Sequence, residues 1–304
     1  NDLSFEKILR VGLFAVLIGG CIPNKDKQAG HSNLRYSQDG FVIKRGVNIS
    51  HWLSQSSRRG AERAAFFVKD DMDFIASIGY DHVRIPIDEE QMWSESGTKE
   101  PEAFELLHNG ISWAQDLGLR VIIDLHILRS HHFNYGEKPL WTDPVAQERF
   151  YQCWRDLSDE LRTYKDNLLA YELMNEPVAN DPQDWNLLVE ACVNVIREKE
   201  PHRAIIIGSN RWQSVHTFKD LRVPENDPNI ILSFHFYTPF LITHYKASWT
   251  DIAAYEGPVH YPGLSVEEGD LRGLPEELIR NVNRHNGVYN RDTLEALMQL
   301  PILK

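Results

Sequence analysis

From Gly40 onward, short apolar runs rich in β-branched residues alternate with longer segments at helical spacing. The runs predict strands at Gly46–Ser50, His82–Pro86, Arg120–His126, Leu168–Asn175, Ala204–Ser209 and Ile230–Tyr237. The intervening segments predict helices at Ala61–Ile78, Pro101–Leu117, Pro144–Tyr164 and Pro182–Lys199. Asp143-Pro144 and Asp181-Pro182 each supply an N-capping carboxylate followed by a proline whose missing N–H costs nothing in the first turn. In the fourth helix Trp185, Leu188, Val189, Cys192 and Ile196 fall on one stripe. Val121-Ile122-Ile123 and Ile205-Ile206-Ile207 are apolar without alternation, so both of their faces are covered, as in a parallel sheet wrapped by helices.

A doubly wound sheet and a (β/α)8 TIM barrel both satisfy that pattern, and the polar residues decide between them. His51, Arg84, His126, Asn175, Glu176, His235 and Tyr237 sit at or just past the C-terminal ends of their strands, one or two to a strand. A barrel collects such residues around one mouth, whereas a doubly wound sheet concentrates them at a single switch point. No Gly-rich dinucleotide or phosphate-binding sequence follows the first strand. The fold class is therefore α/β, a (β/α)8 barrel of which about six of the eight βα units are legible. A further helix at about Asp292–Leu300 follows the sixth strand, and the expectation is a barrel domain over residues 40–304 that is incomplete as written.

Composition narrows the partners. The 304 residues carry 32 Lys+Arg against 44 Asp+Glu, a formal charge of −12, and no window forms the basic stripe that a nucleic-acid backbone requires. Near the N-terminus, Lys7 and Arg10 precede an apolar run from Val11 to Ile18 that ends on Gly19, Gly20 and Cys21. That run is too short to span a bilayer and has the layout of a secretory signal. Ile18-Gly19-Gly20-Cys21 resembles a bacterial lipobox, which implies a lipoprotein-type signal over 1–21, lipidation at Cys21, a polar tether over 22–39 and an anchored location in the cell envelope. Cys153 and Cys192 lie within helical apolar patterns and are expected to be core thiols.

The most informative stretch is Leu168–Pro177, which places Glu176 immediately after an apolar strand and before a proline. A partly desolvated glutamate there is expected to have a raised pKa and to be able to protonate a leaving group. Asn175-Glu176-Pro177, Arg84 within Val83-Arg84-Ile85-Pro86, His126 within Asp124-Leu125-His126, and His235-Phe236-Tyr237 together resemble glycoside hydrolase family five, the large cellulase family. The resemblance runs from about Phe41 to the end of the chain. It implies a retaining β-glycosidase without cofactor or metal, with Glu176 as general acid/base and Asn175 bonding the sugar 2-hydroxyl. It implies further that Arg84 keeps the nucleophile ionised, that Tyr237 orients it, and that His126 and His235 line the cleavage subsite.

Trp52, Trp141, Trp212 and Trp249 follow strands one, three, five and six and could stack on sugar rings, and His51-Trp52 resembles a family position that contacts the nonreducing side of the substrate. The family's nucleophile, a glutamate ending a seventh strand, has no counterpart downstream of Tyr237: Glu256, Glu267 and Glu268 fall in a stretch, Tyr255–Pro275, that reads as a long loop. The expectation is a β-1,4-glucan hydrolase truncated before its nucleophile strand. Three alternatives stay open: a metal-dependent hydrolase built on His126, His131, His132 and His235; a catalytically inactive surface lipoprotein that binds oligosaccharide; and a barrel completed by a second chain.

Overall fold

The computed structural model describes residues 40–303; the signal, the lipobox and the tether expected over residues 1–39, Cys21 included, lie outside the described residues. The chain divides into two compact units, one running through Phe234 and one from His235.

The first unit is built on six parallel strands, β1 (Gly46–Asn48), β2 (His82–Asp88), β3 (Arg120–Ile127), β4 (Leu169–Glu172), β5 (Ala204–Gly208) and β6 (Ile230–Ser233). Their spatial order is their sequence order, each strand hydrogen-bonded in parallel to the next. This is the winding of a (β/α)8 barrel, in which no strand is skipped, although the β5–β6 crossover carries a 3-10 turn at Val215–Asp220 in place of a long α-helix. β2 and β3 run past their predicted ends to Asp88 and Ile127, whereas β1, β4, β5 and β6 are shorter than their apolar runs because pairing stops where the loops begin. β4 ends at Glu172, so Asn175 and Glu176 stand on the loop just beyond it.

The crossovers are α1 (Gly60–Phe66), α2 (Lys69–Ser77), the single turn α3 (Glu89–Met92), α4 (Pro101–Asp116), α5 (Pro144–Leu161) and α6 (Pro182–Arg197). Asp143 and Asp181 cap α5 and α6 as expected, accepting from the N–H groups of Val145 and Gln183 at 2.9 Å each. The α6 stripe of Trp185, Leu188, Val189, Cys192 and Ile196 is buried. Cys153 and Cys192 are free, buried thiols, and burial pushes both upward in pKa, so they remain protonated core residues. The helix expected over Ala61–Ile78 is instead two. Phe67 adopts an extended backbone and buries its ring 5.1 Å from that of Trp52, and the chain restarts where the Asp71 carboxylate accepts from the Val68 N–H.

Trp52 is a correction. It is fully buried, its indole N–H donates to the Arg63 carbonyl at 3.1 Å, and its ring stacks at 6.5 Å on Trp113. Gly110 on α4 is there because a Cβ would come within 3.0 Å of this indole. Both faces of the ring are covered, which leaves none for a sugar; Trp52 is a pillar of the core.

Beneath the sheet, at the N-terminal ends of β4 and β5, Arg203 is wholly buried. Its guanidinium donates to Glu200 and to the carbonyls of Tyr164, Lys165 and Leu169, and it lies 5.2 Å from the Tyr171 ring. Glu200 also accepts from the Ser158 hydroxyl at 2.7 Å.

The second unit packs Leu241, Ile252, Tyr255, Val266, Leu271, Leu278 and Val282 into its own core. Its elements are α7 (Phe240–Thr243), β7 (Gly263–Leu264), α8 (Glu276–His285), β8 (Val288–Tyr289) and α9 (Arg291–Met298), with β7 and β8 paired antiparallel. The stretch Tyr255–Pro275 is thus not an unbroken loop. A two-residue strand is too short to show alternation, and α8 buries only Leu278 and Val282, too thin a stripe to announce a helix. α9 matches the helix expected at Asp292–Leu300.

Removing Glu200 leaves the buried Arg203 guanidinium with only the half-exposed Asp166, 3.4 Å away, as counter-charge. Glu200→Ala is therefore expected to lower the stability of the folded state by about 3 kcal/mol. The change is read as a fall in the urea midpoint at unchanged m-value.

Candidate active site

Parallel register sets the floor of the site. Asn48 pairs with Arg84, and Asp124 pairs with Pro86 on one side and Glu172 on the other, so the four polar side chains of β1–β4 point to one face of the sheet. Arg84 is the centre. Its Nε and Nη2 donate to the two oxygens of Glu172 at 2.7 and 3.1 Å, Nη1 donates to Asn48 Oδ1 at 2.9 Å, and Nη2 also reaches Asn175 Oδ1 at 3.0 Å. Asp124 Oδ2 lies 2.8 Å from Nη2. The sequence singles out Arg84 and Asn175 but not Asn48, Asp124 or Glu172. Their signal is their place, polar residues within otherwise apolar strand runs, which a covered sheet tolerates only when they are paired.

Asp124 holds a second residue. Its carboxylate accepts from His126 Nδ1 at 2.7 Å, which sets the imidazole tautomer with the proton on Nδ1. Asn175 is buried, its backbone N–H donates to the Leu125 carbonyl, and its side-chain oxygen is fixed on Arg84, so Nδ2 is the donor it can offer a ligand.

Glu176 follows at φ 46°, the left-handed region that a β-carbon disfavours. It is 8% exposed. Its N–H donates to Gln213 Oε1 at 3.3 Å, and the loop behind it is bonded to neighbouring loops residue by residue. The Trp212 N–H donates to the Pro177 carbonyl at 3.2 Å, and the Val178 N–H donates to His131 Nε2 at 3.2 Å. Burial first, then the charge of Lys138 and the nearby His132, hold His131 down to about 3, so it stays a neutral acceptor.

The expected aromatic and histidine positions divide. His51 is exposed, at φ 60°, on a cleft of about 620 Å³ that Gln55, Ser56, Arg58, Glu62 and Phe66 also line. Trp212 is 44% exposed beside the Glu176 loop. Trp141 is partly buried, edge-on to His131 at 5.3 Å and to Trp185 at 6.4 Å. His235 and Tyr237 follow β6 in the chain and belong to the second unit, where Tyr237 Oη lies 3.5 Å from His235 Nδ1; Trp249, 65% exposed, belongs there too. The three histidines on and after β3 go separate ways, His126 to Asp124, His131 to Val178 and His132 onto the Tyr135 ring at 3.9 Å. Among the described residues no group of three or more His, Cys, Asp and Glu side chains is arranged to hold a metal ion.

The loop that carries His51 is tied to β2 by Asp88, whose carboxylate accepts from the Gln55 N–H. Burial raises Asp88 to about 8; the Gln55 bond opposes this, and the charges of Asp124 and Glu90 add to it. A carboxyl with a higher pKa folded than unfolded binds its proton more tightly in the native state. Its stabilising contribution is full below the ordinary aspartate range and is lost as pH rises toward 8. Asp88→Asn is expected to remove up to about 1.4 kcal/mol per pH unit of this slope between pH 4 and 8. Urea denaturation of both proteins at pH 5, 6 and 7 reads it, and parallel slopes would refute it.

A family model for cellulases, glycosyl hydrolase family 5, matches residues 45–267. Endoglucanase C of Acetivibrio thermocellus is 31% identical over 263 residues, which cover 85% of this chain and 74% of that protein. Cellodextrinase A of Ruminococcus flavefaciens is 32% identical over 213 residues, 68% of this chain and 62% of its own length. The crystal structure of endoglucanase Cel5A from Thermotoga maritima superposes with a TM-score of 0.62 at 27% identity, covering 81% of this chain and 76% of that one. With the parallel strand order and the polar strand ends already described, this match over most of the chain means that the protein belongs to glycosyl hydrolase family 5, the cellulase family, and is a glycoside hydrolase.

Proposed function

We propose that this protein hydrolyses a β-glucan of the cellulose or cello-oligosaccharide type, by internal cleavage of β-1,4 bonds with retention, and that Glu176 is its general acid/base. One observation carries the reading: Glu176 is buried at the end of β4 beside an Asn175 whose orientation Arg84 fixes. In the first step Glu176 protonates the glycosidic oxygen as the nucleophile attacks the anomeric carbon. In the second it takes a proton from the water that breaks the glycosyl-enzyme bond. Asn175 Nδ2 donates to the 2-hydroxyl, a bond that tightens as charge grows on the ring. His126 lines the cleavage subsite in this reading, and His235, in the second unit, is assigned to it from its sequence motif alone. Exposed Trp212 and Trp249, partly buried Trp141 and His51 on its cleft are the groups that meet neighbouring sugars.

The nucleophile in this reading is a glutamate on a seventh parallel strand, oriented by Tyr237 and kept ionised by Arg84. Asp124 and Glu172 are not candidates, since both are ion-paired with Arg84 beneath the site. The relatives' names, endoglucanase and cellodextrinase, support glucan as the polymer. For the N-terminus we propose export and lipid attachment at Cys21, on the strength of Ile18–Cys21 alone.

The full-length protein is expected to release reducing ends from soluble β-1,4-glucan, with the β-anomer first by NMR. Glu176→Gln is expected to lower turnover by roughly 10²–10⁴-fold while retaining oligosaccharide binding. Binding without product in the wild type would instead favour the carbohydrate-binding lipoprotein. Radiolabelled palmitate is expected to enter the wild-type protein in a bacterial host and not Cys21→Ser; equal labelling would sink the anchor.

A further inference from the structure

We propose that Gln213 is a positioning residue for Glu176, fixing the direction in which the acid/base projects; the inference rests on the acid/base reading above. The observation behind it is a strained turn with an unusual buried amide at its end. Arg211, Trp212 and Gln213 are left-handed in succession, at φ 55°, 60° and 54°, and Glu176 opposite them is left-handed at 46°. Four such residues, none of them glycine, persist only where surrounding bonds over-determine the backbone. Here the bonds run between the two segments. Asn210 Oδ1 accepts from the Ala179 N–H at 2.8 Å and Asn210 Nδ2 donates to the Ala179 carbonyl at 3.0 Å, while Trp212 bonds Pro177 and Gln213 bonds Glu176.

The Gln213 side chain is fully buried and its orientation is forced. Nε2 donates to Glu172 Oε1 at 3.2 Å and to Ser233 Oγ at 3.0 Å. An ionised carboxylate only accepts, so the nitrogen must face Glu172, and Oε1 is thereby turned to the Glu176 N–H. The amide has room because β5 ends in Gly208: a Cβ there would lie 2.3 Å from Gln213 Nε2. One side chain thus ties the floor of the site on β4, the end of β6 and the backbone of the acid/base. Its loss frees the Glu176 peptide to relax out of the left-handed region, which swings the Cα–Cβ bond away from the glycosidic oxygen.

The test uses the full-length enzyme and two β-cellobiosyl substrates that differ in how much acid help the leaving group needs. Cellotetraose needs protonation, whereas 2,4-dinitrophenyl cellobioside does not. Gln213→Ala is expected to lower kcat/KM on cellotetraose by about 30-fold or more, within the range open to acid catalysis. The dinitrophenyl substrate is expected to change less than about 3-fold in its glycosylation step, measured by the burst. Ser233→Ala, which removes one anchor of the amide and leaves Gln213 in place, is expected to show the same split at smaller size; it decides the matter if Gln213→Ala does not fold. Equal losses on both substrates, or no loss on either, overturn the inference. Glu176→Ala is the control. If it shows no split, the acid/base reading itself fails; if it shows one and the Gln213 and Ser233 variants do not, only the positioning role fails.

Discussion

A guanidinium taken out of water must be met by charge and hydrogen bonds on every side that matters, and Arg84 imposes that demand on the C-terminal end of the sheet, where the candidate site lies. Its five donors draw Asn48, Asp124, Glu172 and Asn175 together from β1, β3 and β4 and the loop beyond. A slip of one residue in any of these strands would turn the partner to the opposite face and leave the cation stranded. The pairing therefore fixes register as well as chemistry. It also decides which atom of Asn175 is left to donate and, through Asp124, which nitrogen of His126 carries the proton.

The two ends of the sheet solve different problems with similar groups. At the N-terminal end Arg203 is enclosed by backbone carbonyls, Glu200 and Asp166, an arrangement closed to any ligand and suited to holding loops shut. At the C-terminal end the charged groups form a floor, and the residues above it stand on loops with strained backbones. Strain is affordable there because the stable half of the unit lies below. His51, Glu176, Arg211, Trp212 and Gln213 all have positive φ, and all lie on the loops that follow β1, β4 and β5.

Much of this was legible in the residues because the strand-end motifs are short and local. Val83-Arg84-Ile85-Pro86, Asp124-Leu125-His126 and Asn175-Glu176-Pro177 sit where the apolar runs stop, and the six strands and the caps of α5 and α6 follow from pattern alone. What escaped is what depends on contacts distant in sequence. Gln213 reads as an ordinary loop amide until Glu172 and Ser233, 41 and 20 residues away, are seen to orient it. Trp52 reads as a sugar platform because it follows a strand beside an exposed histidine. Only the tertiary packing of Phe67, Gly110 and Trp113 reveals that its ring is enclosed. The helix break at Phe67 has the same origin, a burial demand that outweighs local periodicity.

That enclosed indole has a consequence for the residue next to it. His51 is joined by a peptide bond to a residue whose side chain is locked between α1 and α4, and its own Nδ1–H donates to the Gln55 carbonyl 3.1 Å away. The wall of the cleft therefore has the stiffness of the interior while its surface faces solvent. Any shift of that edge requires the core behind it to repack, since His51 is covalently joined to the fully buried Trp52.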